Sequence, residues 1–285
     1  MENMRKIAFI GSGSMTEAII AGMLAGGKYQ PQEIYAGNHS NQDRLSYLAR
    51  KFGIYTTQSK QDLLAEADIA VLAVKPKDVH AALLASRNHF QKSTLLISVA
   101  AGVHTSSLEG ILRKDIAIVR AMPNTSAAVG KSATALSANR FAHDKEMNDA
   151  ITLFETIGTA EIVEEDQLNA VTGLSGSGPA YIYYLAEAME ASIGILGLEK
   201  ATAKSLIIQT LIGAAEMLQR SDKSPIELRK EVTSPGGTTE AGLRVLAEYR
   251  VQEAFEACIF EAAQQSRRMG QQISQQIEDA GKEDR

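Results

Sequence analysis

The sequence predicts an α/β protein: a doubly wound sheet over residues 1–163, followed by an all-helical C-terminal domain over residues 164–285. Three observations predict it. Short apolar runs alternate with helical stretches up to about residue 163, no strand pattern follows that point, and a glycine-rich turn joins the first run to the first helix.

The runs are RKIAFIG (5–11), EIYAGN (33–38), GIYTT (53–57), DIAVLAV (68–74), TLLISVA (94–100), IAIVRAM (116–122), SATALSA (132–138) and AEIVEE (160–165). Several are continuously apolar, which predicts strands covered by helices on both faces. The helical half reads as EDQLNAVTGL, GPAYIYYLAEAMEASIGILGL, EKATAKSLIIQTLIGAAEMLQ, SPIELRKEV and AEYRVQEAFEACIFEAAQQSRRM. From Glu146 to Glu199 there is no Lys, Arg or His, so these helices are expected to bury their surface against another domain or, the preferred alternative, another subunit. The final QQISQQIEDAGKEDR is polar, without an apolar stripe, and is expected to fray.

A chain of 285 residues carrying a net charge of −5 has no Lys/Arg stripe to meet a phosphate backbone, which argues against a nucleic-acid partner. The N-terminus runs straight into an apolar strand without a leader pattern, and no apolar run approaches the roughly 20 residues that span a bilayer. A cytoplasmic protein without a membrane partner is the expectation. Cys258 is the lone cysteine and shares a helical face with Phe255 and Ile259, so it is expected in the core. The five His residues show no metal-ligand spacing, and no metal is predicted.

The turn KIAFIGSGSM carries the chemistry of the first half. Gly11 permits a tight turn, Gly13 admits a pyrophosphate close to the backbone, and Ser14 and Met15 open a helix whose N–H groups face an anion. Thr16 replaces the third glycine of the usual fingerprint. A merely structural turn is the alternative, but the strand-turn-helix setting favours a Rossmann-like dinucleotide site. After the second strand stand Asn38, His39, Ser40, Asn41 and Arg44 where an Asp or Glu would hold a free 2′-hydroxyl. That pattern favours NADPH and leaves NADH open. Ala73, Val74, Lys75 and Pro76 after the fourth strand, and Asn124 after the sixth, fall at the same sheet edge and are expected at the nicotinamide.

Within the helical half, VTSPGGTTEAGL breaks the pattern. Ser234-Pro235 would stop one helix, Gly236 and Gly237 free the turn, and Thr238 or Thr239 would cap the next helix. Its new N-terminus suits a carboxylate, although capping alone accounts for the same residues. Glu240 in the first turn is expected to face solvent, since inward it would repel an anion.

FIGSGSM, AVKP, RAMPNT, LSGSGPAY and SPGGTT, in this order, resemble the pyrroline-5-carboxylate reductases over roughly residues 5–270. The resemblance implies NAD(P)H-dependent reduction of the cyclic imine 1-pyrroline-5-carboxylate to proline, the last step of proline synthesis. It also implies a helical domain interlocking two subunits, as a homodimer or a ring of dimers. By resemblance Thr239 is the catalytic hydroxyl at the ring nitrogen, Ser234, Gly236, Gly237 and Thr238 shape the carboxylate pocket, and Asn124 with Ala73–Pro76 holds the nicotinamide. Ser177 either contacts substrate or merely starts a helix. Two rivals are weighed: a 3-hydroxyacid dehydrogenase, which needs a Lys that Glu146–Glu199 lacks, and a dinucleotide-binding regulator without turnover, against which Thr239, Gly236, Gly237 and Asn124 argue. A reductase of other imines is separable only by substrate.

Overall fold

A computed structural model describes residues 5–283. Its contacts divide the chain into two compact units, one holding the residues up to Ser177 and those from Glu261 on, the other Gly178–Phe260.

In the first unit the eight runs all form strands: β1 Ile7–Ile10, β2 Ile34–Gly37, β3 Tyr55–Thr57, β4 Ile69–Leu72, β5 Leu95–Ser98, β6 Ile118–Met122, β7 Ser132–Ala138 and β8 Gly158–Ile162. They build one sheet in the order β3-β2-β1-β4-β5-β6-β7-β8. Between them lie α1 Ser14–Ala25, α2 Gln42–Phe52, α3 Lys60–Leu64, α4 Val79–Leu84, α5 Thr105–Leu112 and α6 Asp144–Phe154. All pairings are parallel except β6 with β7. The link from Pro123 to Lys131 is too short for the crossover of a dozen or more residues that a parallel partner requires.

Alternate residues of each central strand enter two cores. Ile7, Phe9, Ile69, Val71 and Ile97 pack against α1, α2 and α6; Ala8, Ile10, Ala70, Leu72 and Leu96 pack against α3, α4 and α5. Continuous apolar strands are the sequence form of this two-sided burial. β8 begins two residues before the predicted run. Gly158 there has φ +154° and pairs with Ser132, and a Cβ on it would lie 2.0 Å from the Ser132 carbonyl oxygen.

After β8 come α7 Leu168–Val171 and a π-helical turn at Thr172–Gly176. The second unit holds α8 Gly178–Ala191, α9 Ile193–Leu196, α10 Lys200–Arg220, α11 Pro225–Glu231, α12 Thr238–Glu248 and the start of α13 Val251–Glu283. Two expectations are corrected here. The tail is helical as far as Glu283, residues 284–285 lying outside the described residues: Ile273 and Ile277, spaced by four, are buried in the core with α4 and α5, and the helix closes on the loop after β5 where Gly270 meets Gly102. Cys258 is exposed, because the second unit offers no element to cover that face of α13. No described helix is long and apolar enough to cross a membrane.

Candidate functional site

In the first unit β1, β2 and β4 end together. The Gly11 N–H donates to the Gly37 carbonyl (2.8 Å) and the Ala73 N–H to the Ile10 carbonyl (2.9 Å). Gly11 turns at φ +115°, and any Cβ there would sit 2.4 Å from the Ala73 carbonyl oxygen. Over Gly13 the space is open. Gly13 is the N-cap of α1 and no side chain caps the helix, so Ser14 and Met15 present first-turn N–H groups. Thr16 is wholly buried, and its hydroxyl donates to the Gly11 carbonyl at 3.0 Å. The turn that a third glycine would tighten is thus closed by a side chain. A clear approach over glycine and a row of backbone donors at a twelve-residue helix fit a dinucleotide pyrophosphate.

Glu17 sits in the first turn of α1 without opposing that fit. The Lys51 ammonium, with Arg44 and the Tyr47 hydroxyl, holds its carboxyl down to about 2. Arg44 also donates to the carbonyls of Ser12 (2.7 Å) and Gly13 (3.2 Å). Asn38, at the end of β2, donates to the Ser12 hydroxyl (2.9 Å), while His39 and Ser40 beside it are exposed. Lys75 is extended and exposed, and Pro76 opens a 3-10 turn ahead of α4, as the X-Pro step dictates. Val74 is half-buried beside them.

Asn124 is buried, and its amide is engaged inside the protein: it accepts from the Ser126 N–H (3.1 Å) and donates to the Ser175 carbonyl (3.0 Å). It braces the loop after β6 against the π-helical turn, an interruption common at functional sites. That turn ends where the Ser177 N–H reaches the Thr172 carbonyl (2.8 Å). Ser177 lines a cavity of about 200 Å³ with Ala101, Thr172, Gln265, Ser266 and Met269. The α13 residues at this cavity carried no sequence signal, since only the chain's return to the first unit brings them there.

A second feature invisible in the sequence lies close by. Glu165, just after β8, accepts from the Thr105 N–H (2.7 Å), the Thr105 hydroxyl (2.8 Å) and the Arg120 guanidinium (2.9 Å). Burial alone would raise the Glu165 carboxyl, but these donors outweigh it and hold the group below its usual value.

In the second unit, Ser234–Gly237 is a β-turn. The Gly237 N–H donates to the Ser234 carbonyl (3.0 Å), Pro235 takes the second position and Gly236, at φ +73°, the third. α11 already ends at Glu231, so Ser234-Pro235 does not terminate it. Neither threonine caps α12: the N-cap is Gly237, without a side-chain bond, and Thr238 is the first helical residue. The β-turn delivers Gly237 into the N-cap position, which leaves both threonines inside the first turn, and Glu240 reaches back to accept the Gly236 N–H at 2.7 Å. Glu240 is exposed, as expected, yet its carboxylate lies on the loop rather than in water alone. Gly236, Gly237 and Glu240 line a cavity of about 850 Å³ with Arg229, Lys230 and Arg244. Thr239 is half-buried, and neither it nor Ser234 or Thr238 lines that cavity.

A mostly parallel sheet with this glycine turn and open helix start defines a dinucleotide-binding protein, and residues 6–102 match the family model described as NADP oxidoreductase, coenzyme F420-dependent. Residues 165–269 match the model for pyrroline-5-carboxylate reductase dimerisation. The chain is 45% identical to pyrroline-5-carboxylate reductase 2 of Bacillus subtilis (strain 168), over 95% of this chain and 97% of that protein. It resembles the solved pyrroline-5-carboxylate reductase of Coxiella burnetii with a TM-score of 0.86 at 38% identity, covering 94% of this chain and 99% of the other. The NADP-bound pyrroline carboxylate reductase of Plasmodium falciparum gives a TM-score of 0.86 at 27% identity, covering 95% and 99%. The chain belongs to the pyrroline-5-carboxylate reductase family.

Proposed function

We propose that the chain, which as a member of this family reduces 1-pyrroline-5-carboxylate to L-proline, the last step of proline synthesis, does so with NADPH preferred over NADH, as a cytoplasmic homodimer or ring of dimers. The observation that carries the reading is the turn Ser234–Gly237 delivering into an α12 that no side chain caps. Its first-turn N–H groups, with Ser234 and Thr238, receive the substrate carboxylate. Thr239 hydrogen-bonds the ring nitrogen.

When bound at Gly11–Met15, His39–Ser40 and Ala73–Pro76, the reduced nicotinamide supplies the hydride. Reduction of a protonated imine leaves the nitrogen holding its proton, so the chain needs to align the ring and exclude water rather than provide a strong base. Asn124 acts in this reading by fixing the loop beneath the nicotinamide. Preference for NADPH is supported by the amide Asn38 where an acid would meet a free 2′-hydroxyl. Assembly is supported by the single chain's exposed apolar side chains, among them Tyr183, Tyr184, Leu206 and Ile212. An exposed unpaired Cys258 thiol suits a reducing compartment.

The test is steady-state NADPH consumption with 1-pyrroline-5-carboxylate beside other cyclic imines and a set of 2-oxo and 3-oxo acids. Turnover confined to the carboxylated pyrroline is the expected result; turnover of another substrate with silence here overturns the assignment. Thr239→Ala is expected to lower kcat/KM by roughly 100-fold with NADPH binding unchanged, and full retained activity would remove Thr239 from its role.

A further inference from the structure

A 2′-phosphate carries close to two negative charges, and a pocket that selects it needs a cation free to meet them. Arg44 is the one cation in the stretch after β2 from Asn38 to Arg44. The structure withdraws Arg44: its guanidinium is spent on the carbonyls of Ser12 and Gly13 and on Glu17. Lys51 is paired with the same carboxylate at 2.7 Å. Both cations therefore stabilise the glycine turn and α1 and offer little to an incoming phosphate.

A different cation stands at this edge. Lys60, the first residue of α3, follows β3, the strand paired with β2, and its ammonium donates to the Asn38 carbonyl at 3.3 Å. Among the described residues no carboxylate pairs with it, and it is half-buried. Burial alone lowers its pKa. An ammonium has three donors and a single carbonyl meets one of them. Holding a partly desolvated cation without an acid is unfavourable unless an anion completes it. Its carbonyl partner, Asn38, directly precedes His39 and Ser40, both exposed, so the Lys60 ammonium lies against the backbone of the loop expected to meet the cofactor's ribose.

We infer that Lys60 is the residue that reads the 2′-phosphate, so that NADPH selectivity resides on the loop after β3 rather than on α2. The inference rests on the NADPH preference proposed above. Arg44 acts at a distance from that choice by fixing the glycine turn, and serves either cofactor.

Calorimetric titration with adenosine 2′,5′-bisphosphate and with 5′-AMP separates the 2′-phosphate from the rest of the nucleotide, without turnover. Lys60→Met, which keeps the apolar stem, is expected to weaken the bisphosphate by roughly 10- to 100-fold, the worth of a charge-assisted hydrogen bond, and to leave 5′-AMP within about twofold. Lys60→Arg should retain most of the selectivity. kcat/KM for NADPH should fall in parallel while that for NADH holds. Wild-type protein that binds both nucleotides alike and uses both cofactors alike overturns the NADPH reading itself. A selective wild type whose selectivity survives Lys60→Met overturns the assignment to Lys60 alone, as does equal loss of both nucleotides, which marks a structural role.

Discussion

Replacing Glu165 tests how the segment after β8 is fastened to the sheet. The Arg120 side chain is 5% exposed and that of Glu165 is 26% exposed, so the guanidinium is almost wholly buried while its partner keeps some contact with solvent. Losing one member of a buried ion pair costs about 3–5 kcal/mol, and the partial exposure of Glu165 places Glu165→Ala at the low end, about 3 kcal/mol. Arg120→Met removes the charge together with its need for a partner and leaves Glu165 its two Thr105 bonds, so about 1–2 kcal/mol is expected. In the double variant the shared Arg120–Glu165 part of the two losses is counted once, and the Thr105 bonds are lost as in Glu165→Ala. A coupling energy of about 2 kcal/mol should appear in a double-mutant cycle by urea unfolding at one fixed protein concentration. Because the folded-state carboxyl is depressed, its contribution is complete above its unfolded value of 4.5 and disappears as pH falls through the folded value. Wild type should therefore lose more stability than Glu165→Gln as pH falls from about 5 to about 3. Coupling below about 0.5 kcal/mol, or parallel acid limbs for the two proteins, would refute the reasoning.

Two other perturbations follow from the same geometry. Ile277→Ala empties a buried position under α13 and should cost about 2–3 kcal/mol, seen as a lower Tm at fixed concentration; a frayed tail would show a change under about 0.5 kcal/mol. Glu240→Gln replaces the carboxylate on the Gly236 N–H by a neutral amide, and KM for the carboxylated pyrroline should fall about 3- to 10-fold with kcat held within about twofold; an unchanged KM would sink the idea of competition at that donor.

All eight strands were legible because burial on both faces writes itself as unbroken apolar runs, and a run such as IAVL leaves little else to infer. Positions in which tertiary partners decide were not. The pair Ile273 and Ile277 is too sparse in a glutamine-rich stretch to announce a face, and it acquires one only against α4 and α5. Cys258 follows the opposite logic: its apolar neighbours correctly mark a helical face, but periodicity does not say whether the same chain covers it. At the site, glycines and prolines were legible, since Gly11 and the turn at Pro235-Gly236 are dictated by backbone geometry. Side chains that act across the fold were not: neither the tie of Arg44 to the Ser12 carbonyl nor the reach of Lys60, on another strand's loop, to the Asn38 carbonyl is written in the local pattern.

The two helix starts built for anions differ in how they treat their own acids. In α1 the first-turn Glu17 is bound by Lys51, Arg44 and Tyr47, and the donors over Gly13 stay clear whether or not a ligand is present. That turn is prepared in advance, which suits a cofactor bound by many contacts. In α12 the first-turn Glu240 has no such cation among the described residues, since Arg244, one turn on, lies beside Glu248. It satisfies the Gly236 N–H itself. A ligand that displaces it must return an acceptor of equal charge, or the donor is left unpaired at a cost of about 1–3 kcal/mol. On the proposed reading a carboxylated pyrroline makes that exchange evenly and an uncarboxylated imine does not. Discrimination between the two then comes from the contact the empty turn makes with its own helix, and Glu240→Gln should narrow it as it tightens the substrate.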